Sequence, residues 1–501
     1  MSASEGRQQR ISIVGGGAAG WIAATLMARR WPSARISVVE SPDIGIIGVG
    51  EGSTPQLKAF FRKLDVEERD WMPKCSATYK NGISFHGWSD APGCGSYFHP
   101  FPSPIDAHTS PAFAYHCFAR RRGVDLPAHP DRFFLSAKLA ARRLAPIANW
   151  NFPFEIAYGY HFDAFLVGKF LRQYAVSKGV MHIPGTVSRI VLTDTGAIDG
   201  LHLDDGRVIN ADFFVDATGF RGLLIQEALK TSFRSFKENL FNDSAVVMPT
   251  PREGADPNAE TRSIAMKYGW RWDIPLTSRT GNGYVYASDF CTDDAAETEL
   301  RAALGLLDSD AEARRLKMKV GRVERHWVRN CLAVGLSQGF IEPLEATALH
   351  LVQATVERFM ESYEKGGFSN AHEKEFNDDV NARFDGVRDY IVCHYRMSRR
   401  SDTDYWRANA ANDRLSDSLR SIFECWFSGG DMREEIRSQD IGRYYTDMSW
   451  QAMLSGYGHF PSNLRPAEAA EKRFDIDIID DFIERSALNF RPHREALGLV
   501  E

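Results

Sequence analysis

The stretch "SIVGGGAAGWIAATLMARRW", residues 12–31, limits what this chain can fold into more than any other. From Ile11 to Ala28 it carries no charge for eighteen residues, enough to raise a membrane span or, after Arg10, a signal peptide. Its start is crowded with Gly15, Gly16, Gly17 and Gly20, and Arg29 and Arg30 follow directly. The reading is therefore a buried strand, a tight turn and a helix. Gly15, Gly17 and Gly20 form GxGxxG, with Ala18 and Ala19 opening the helix. Such a turn lets backbone approach a pyrophosphate, and the helix N-terminus offers it unpaired N–H groups. "ARISVVES" reads as a second strand ending in Glu40, twenty residues past Gly20, where a carboxylate can accept a ribose hydroxyl.

The βαβ order predicts an α/β fold: a doubly wound parallel sheet of the two-dinucleotide-binding type, with an added antiparallel β piece. The expected division is a dinucleotide-binding module over residues 1–355, which the resemblance below makes the FAD-binding module, and a mainly helical C-terminal module over 356–501, which it makes the substrate module. Residues from about 86 to 150, with "APGCG" and "HPFPSP", read as a loop-rich insertion covering the site. "YHFDAFLVGKFLRQYAVSKGV" reads as a helix, and Asp205-Gly206 as a hairpin turn. A net charge of −6 argues against nucleic acid, and no other segment suggests a membrane. Seven scattered cysteines without a CxxC pair argue against a disulfide framework or zinc site and for the cytoplasm.

Further pieces carry chemistry. "DFFVDATGFRG" (212–222) is an apolar strand running into Asp216 and Gly219, as where a strand returns beside the first and ends near a flavin. "NCLAVGLSQGFIEPLEAT" (330–347) is a strand, a glycine turn and a helix start. Its Glu342 and Glu345 bracket Pro343-Leu344, and both suit helix capping, with Pro343 at a first helical position. In "GWRWDIPL", Trp270 and Trp272 fall on one strand face, a pattern equally at home in a half-buried core strand. In "CSATYKNGISFHGW", period-two alternation sets Tyr79, Ile83 and Phe85 against Lys80, Ser84 and His86. A lysine on a polar strand face is ordinarily solvated.

Together these pieces resemble the flavin-dependent tryptophan halogenase family. "GVGEGSTP" (48–55) resembles its GVGEAT-P segment, "WRWDIP" its WxWxIP signature, and "GLSQGFIEPLEAT" its GLS-GF-EPLEST segment. "YHFDA", "GYVYAS" and "HYRMSRRSDTDYW" are also in register. The resemblance implies that reduced FAD, oxygen and chloride or bromide yield hypohalous acid. That acid travels to a lysine, matching Lys80, for electrophilic halogenation of an electron-rich arene. Glu345 matches the family's glutamate across the substrate, and the signature tryptophans keep substrate from the flavin.

The resemblance also assigns Gly50, Glu51, Val187, Gly219, Leu336 and Leu349 to the flavin, beside Gly15, Gly17, Ala18, Ala19, Gly20 and Glu40. The backbone of Thr347 and Ala348 is assigned to the halide, and His99 and Phe101 to the substrate; "HPF" also suits a proline-ordered loop. Ala346 stands where the family commonly has serine and Ala348 where it has glycine, so the alanine is expected to restrict the backbone there. With a single GxGxxG, flavin reduction falls to a separate NAD(P)H-dependent reductase. The other partner implied is a small aromatic substrate, tryptophan, indole or a related ring; a homodimer is compatible. The competing reading is a flavin-dependent aromatic hydroxylase, and a flavin-binding protein without chemistry is a third.

Overall fold

The computed structural model describes residues 8–43, 50–252 and 256–499. The glycine stretch folds as its apolar flanks dictate. β1 (Arg10–Val14) and β2 (Arg35–Glu40) bury Ile11, Ile13, Ile36 and Val38, and α1 (Ala18–Arg30) crosses between them. The chain continues through β3 (Thr78–Lys80), β4 (Gly82–His86), β5 (Ser96–Pro100), β6 (Gly159–Phe162), α2 (Ala164–Ser177) and β7 (Met181–Pro184). β8 (Phe213–Asp216), β9 (Ser244–Val247), β10 (Thr261–Met266), β11 (Gly269–Pro275), β12 (Arg279–Tyr286) and β13 (Arg314–Lys317) follow. β14 (Trp327–Val328) and β15 (Cys331–Ala333) lead into α3 (Ala348–Lys365), α4 (Glu373–Met397) and α5 (Asp447–Gly456).

The expected parallel sheet has the order β7-β2-β1-β8-β15-β14, parallel except for the last pair. β8 does return beside β1, pairing Val14 with Asp216. The second large sheet has eight strands along β13-β9-β12-β11-β10-β4-β5, with Thr250–Pro251 beside β12, antiparallel except where β10 meets β4 in parallel. One hydrophobic cluster contains residues from Ile11 to Phe490. Among the described residues no helix is long and apolar enough to cross a membrane. Gly206, with φ 86°, makes the expected tight turn between Ile198–Leu203 and Val208–Ile209.

Three expectations are corrected. The span 86–150 is not mainly loop: it holds β5, helices Ser110–Arg121 and Leu135–Ala141, and strand Leu144–Ala148. "YHF" belongs to β6, and α2 begins only after Asp163, whose Oδ1 accepts the Leu166 N–H at 3.0 Å. The stretch around Lys80 is not one alternating strand. It breaks at Asn81, whose N–H donates to Ala259 and whose side chain donates to the Leu144 carbonyl. β3 joins a small sheet with β6 and Glu51–Gly52, while β4 joins the large one, so Thr78 to Phe85 are buried on both sides.

The far end of the chain closes this region. Phe490–Pro492 pairs with Leu144–Ala148, and the buried His493 accepts the Tyr79 N–H on Nε2 at 3.1 Å. Its Nδ1–H donates to the Pro257 carbonyl at 3.0 Å.

Candidate active site

The dinucleotide cradle lies where β1 meets α1. A Cβ on Gly15 would lie 2.2 Å from the Ala217 carbonyl and one on Gly20 2.0 Å from the Gly15 carbonyl, so only glycine fits either. Gly17, by contrast, has open space around it. α1 has no side-chain cap and no acid in its first turn, so its first N–H groups and positive dipole end stay free for an anion. Glu40 folds back over Gly16 and meets His182 Nε2 at 2.8 Å. A Cβ on Gly335, in the left-handed region at φ 66°, would lie 2.7 Å from Ala19 Cβ, so the turn that leads into Leu336 closes on α1, while Ser337 Oγ donates to the Asp216 carbonyl. These groups suit a dinucleotide: an open glycine, free amides and a carboxylate at the strand end. Gly219 sits at the β8 exit with φ 72°. Val187 differs in that its side chain packs inward beside Val39 and Leu203. Gly50, at φ 99°, faces Gly281, Leu276 and Ile274, and Glu51 pairs with Phe162, where burial beside Asp163 pushes its carboxyl up to about 7. Gly48 and Val49 of the same motif lie outside the described residues.

Lys80 is not solvated but fully buried, and its Nζ has no hydrogen-bond partner among the described residues. It sits 5.5 Å from the centre of the Phe101 ring. Desolvation lowers its pKa to about 7, opposed by the nearby Glu345 carboxylate. Around it runs a buried chain of neutral groups. Thr78 Oγ1 donates to the Pro275 carbonyl at 2.7 Å and meets His161 Nδ1 at 3.0 Å; His161 Nε2 meets Thr261 Oγ1 at 2.9 Å.

Glu342 and Glu345 do not cap a helix, because α3 begins only at Ala348, with Thr347 before it. Pro343 lies in the preceding turn, where its carbonyl accepts the Ala346 N–H. Glu342 Oε2 accepts from Trp270 Nε1 at 2.7 Å, Tyr395 at 2.8 Å and Asn242 at 2.9 Å. Glu345 Oε1 lies 2.8 Å from His394 Nε2 and 3.4 Å from His99 Nδ1. Burial raises Glu345, while His99 and Lys80 pull it down. His394 contacts the Tyr457 hydroxyl through Nδ1 at 2.7 Å and stacks on Phe85.

His99 lies on β5 rather than in a loop, and both it and Phe101 are buried. Tyr390 and Tyr445 stack at 3.5 Å, with Trp450 edge-on to Tyr390, forming aromatic walls beside Glu345. The backbone constraint expected at Ala348 falls instead on Ala346, which is left-handed at φ 55°; Ala348 is an ordinary first helical residue. Leu349 shares a small cavity with Ile22, Ser53 and His350. The structure thus gathers Lys80, Glu345, His99 and Phe101 in one buried cluster and the glycines with Glu40 in a separate one. Sequence reasoning missed His161, Thr261 and His394; only the first and last fell within motifs it had noticed.

A glycine cradle suited to a dinucleotide, paired with a buried lysine–glutamate cluster, is the arrangement of an enzyme that works with a dinucleotide cofactor. The profile of the tryptophan halogenase family matches residues 10–472. The 7-chloro-L-tryptophan 6-halogenase KtzR of a Kutzneria species is 37% identical over 489 residues, covering 91% of this chain and 92% of that one. The tryptophan 6-halogenase SttH of Streptomyces toxytricini is 34% identical, with 93% of each chain covered. Its crystal structure superposes with a TM-score of 0.84 at 30% identity over 98% of this chain and all of the other. Xcc4156, a flavin-dependent halogenase from Xanthomonas campestris, gives 0.84 at 31% identity, with 98% of each chain covered. The chain belongs to the tryptophan halogenase family and is a flavin-dependent halogenase.

Proposed function

We propose that this enzyme uses FAD, supplied reduced by a separate NAD(P)H-dependent reductase, to halogenate an electron-rich ring such as tryptophan or indole. The observation that carries this reading is Lys80: an amine wholly removed from water, without a hydrogen-bond partner among the described residues, beside a buried carboxylate. A cation held in this way is costly and is kept where it does chemistry. Support for FAD comes from the open backbone at Gly17, the free α1 N-terminus and Glu40. Gly15, Ala18, Ala19 and Gly20 would shape the pyrophosphate cradle. Gly50, Glu51, Val187, Gly219, Leu336 and Leu349 would border the rest. The bound, reduced flavin supplies hypohalous acid from oxygen and chloride or bromide.

The protein's own groups then act on that acid and on the arene. Lys80 Nζ–H donates to the oxygen of hypohalous acid, which makes the halogen more electrophilic. His99 and Phe101, with the walls of Tyr390, Tyr445 and Trp450, hold the ring and exclude water. Attack leaves the ring cationic; Glu345 stabilises that charge and takes the ring proton. Because both histidines meet Oε1, Oε2 is the oxygen left to face the ring. The first N–H groups of α3, at Thr347 and Ala348, have no intrahelical acceptor and would hold the halide. Trp270, pinned by Glu342, and Trp272 would screen substrate from the flavin.

The test is to supply FAD, a reductase, NADH, chloride or bromide, and tryptophan or indole, and to follow halogenated product by mass spectrometry. Loss of product in Lys80→Ala is expected. Full halogenation by that variant would overturn the mechanism, and a hydroxylated product independent of halide would point to a hydroxylase instead.

A further inference from the structure

The direction of the buried hydrogen-bond chain beside Lys80 can be deduced. The Pro275 carbonyl only accepts, so the 2.7 Å contact requires the Thr78 hydroxyl to donate to it. A hydroxyl has one hydrogen, so at the 3.0 Å contact His161 Nδ1 must be the donor to Thr78. His161 is fully buried, and burial with the Lys80 charge nearby drives its pKa well down, so the ring is neutral with one N–H. Its Nε2 is then a bare lone pair, and at 2.9 Å the Thr261 hydroxyl must donate to it. Thr261 Oγ1 has spent its only hydrogen and keeps lone pairs alone for any further neighbour.

That neighbour space is shared with the lysine. A Cβ on Gly52 would lie 3.0 Å from Lys80 Nζ and 3.1 Å from Thr261 Oγ1, so the two atoms flank the same bare backbone position. Lys80 Nζ makes no hydrogen bond to Thr261 or to any other described residue. The space therefore presents one donor, the lysine, and one pure acceptor, the threonine. A halide ion, which only accepts, can use the first but not the second. A small molecule with an oxygen acceptor and an O–H donor uses both.

We infer that Thr261, oriented by His161 and Thr78, is the acceptor for the O–H of hypohalous acid while Lys80 donates to its oxygen, so that the pair fixes where the halogen points. This rests on Lys80 being the group that receives hypohalous acid. In the transfer, the carbon–halogen bond forms as the halogen–oxygen bond breaks. The ring carbon loses two electrons to the halogen, and the oxygen leaves with its hydrogen as hydroxide. The proton released by the ring, taken by Glu345, turns that hydroxide into water. Thr261 touches only the reagent, and His161 and Thr78 are positioning residues.

The experiment compares wild type, Thr261→Val, Thr261→Ser and Lys80→Ala, with taurine in solution to capture escaping hypohalous acid. Thr261→Val is expected to make at least roughly tenfold less halogenated arene, since misplacing a reacting atom by about an ångström has effects of this size or more. The missing halogen should appear on taurine, with total oxidised halogen per NADH unchanged. Thr261→Ser keeps the hydroxyl and should restore the product. Separately, the wild-type protein labelled with 15N-histidine, without flavin, should show His161 protonated on Nδ1 and bare on Nε2, assigned by its loss in His161→Gln. This readout stands even if Thr261→Val does not fold. Wild-type product from a folded Thr261→Val, equal losses in both Thr261 variants, or a proton on His161 Nε2 would each overturn the inference. If Lys80→Ala itself halogenates normally, the lysine reading fails and this one with it. If only Lys80→Ala loses product, the lysine reading survives alone.

Discussion

Two carboxylates three residues apart, Glu342 and Glu345, sit in chambers of opposite character. Glu342 is met by neutral donors, an indole, an amide and a phenol, none of which exchanges a proton readily near neutrality. Glu345 is met by two histidine rings, whose burial pushes both pKa values down, and faces a lysine that burial brings to about 7. Burial raises both carboxylates. Burial alone therefore does not mark a reactive acid; the company it keeps does. The first chamber ties β11 to α4, and the second is the one to which the proposed mechanism gives the ring proton.

This contrast can be broken most directly at Glu345. Glu345→Gln keeps the shape but not the charge, and halogenation should fall about 10²–10⁴-fold with the melting temperature little changed. Glu342→Gln under the same assay should stay within about threefold of wild type, because neutral donors still find a carbonyl oxygen. An equal fall in both variants would erase the distinction.

Glu342→Ala should show the structural side of the comparison. It leaves the Trp270, Asn242 and Tyr395 donors unsatisfied, at a cost of about 3 kcal/mol or more in denaturant unfolding. An unchanged unfolding midpoint would mean the first chamber carries no structural load.

The lysine's contribution has a definite sign with pH. Its folded pKa, about 7, lies below the ordinary value of 10.5, so between those values the unfolded chain binds more protons. The folded state then gains stability from this group as pH rises through that window. Lys80→Met should be more stable than wild type by most below about pH 7, the gap closing by up to about 1.4 kcal/mol per pH unit above it. A gap independent of pH would show that Lys80 is not buried as a strained cation. The smallest effect is expected at Ala346, where the left-handed backbone falls next to Glu345 and not Glu342. Ala346→Gly should stabilise by about 1 kcal/mol by relieving it.

What could be read without coordinates follows from the range of the contacts involved. The glycine turn, β1, α1, β2 and the strand ending in Asp216 were legible because their determinants are local: uncharged runs, glycines at fixed offsets, a carboxylate at a strand end. The surroundings of Lys80 were not. Alternation assumes a strand continues, and Asn81 ends it through bonds to Ala259 and Leu144. The two glutamates looked like caps because Pro343 mimics a helix start, yet the turn delays that start to Ala348. His161, Thr261 and His394 become meaningful only through partners 49 to 100 residues away. The family resemblance pointed to Lys80 and Glu345, while spacing alone left both as ordinary surface and capping residues.

His493 adds an ordering in time. Its ring receives the N–H of Tyr79, the residue before the lysine, across 414 positions of chain. During synthesis the strand bearing Lys80 emerges hundreds of residues ahead of the ring that completes this bond. The burial of Lys80 is therefore a long-range property of the fold, completed only when Phe490–Pro492 and His493 have docked beside it.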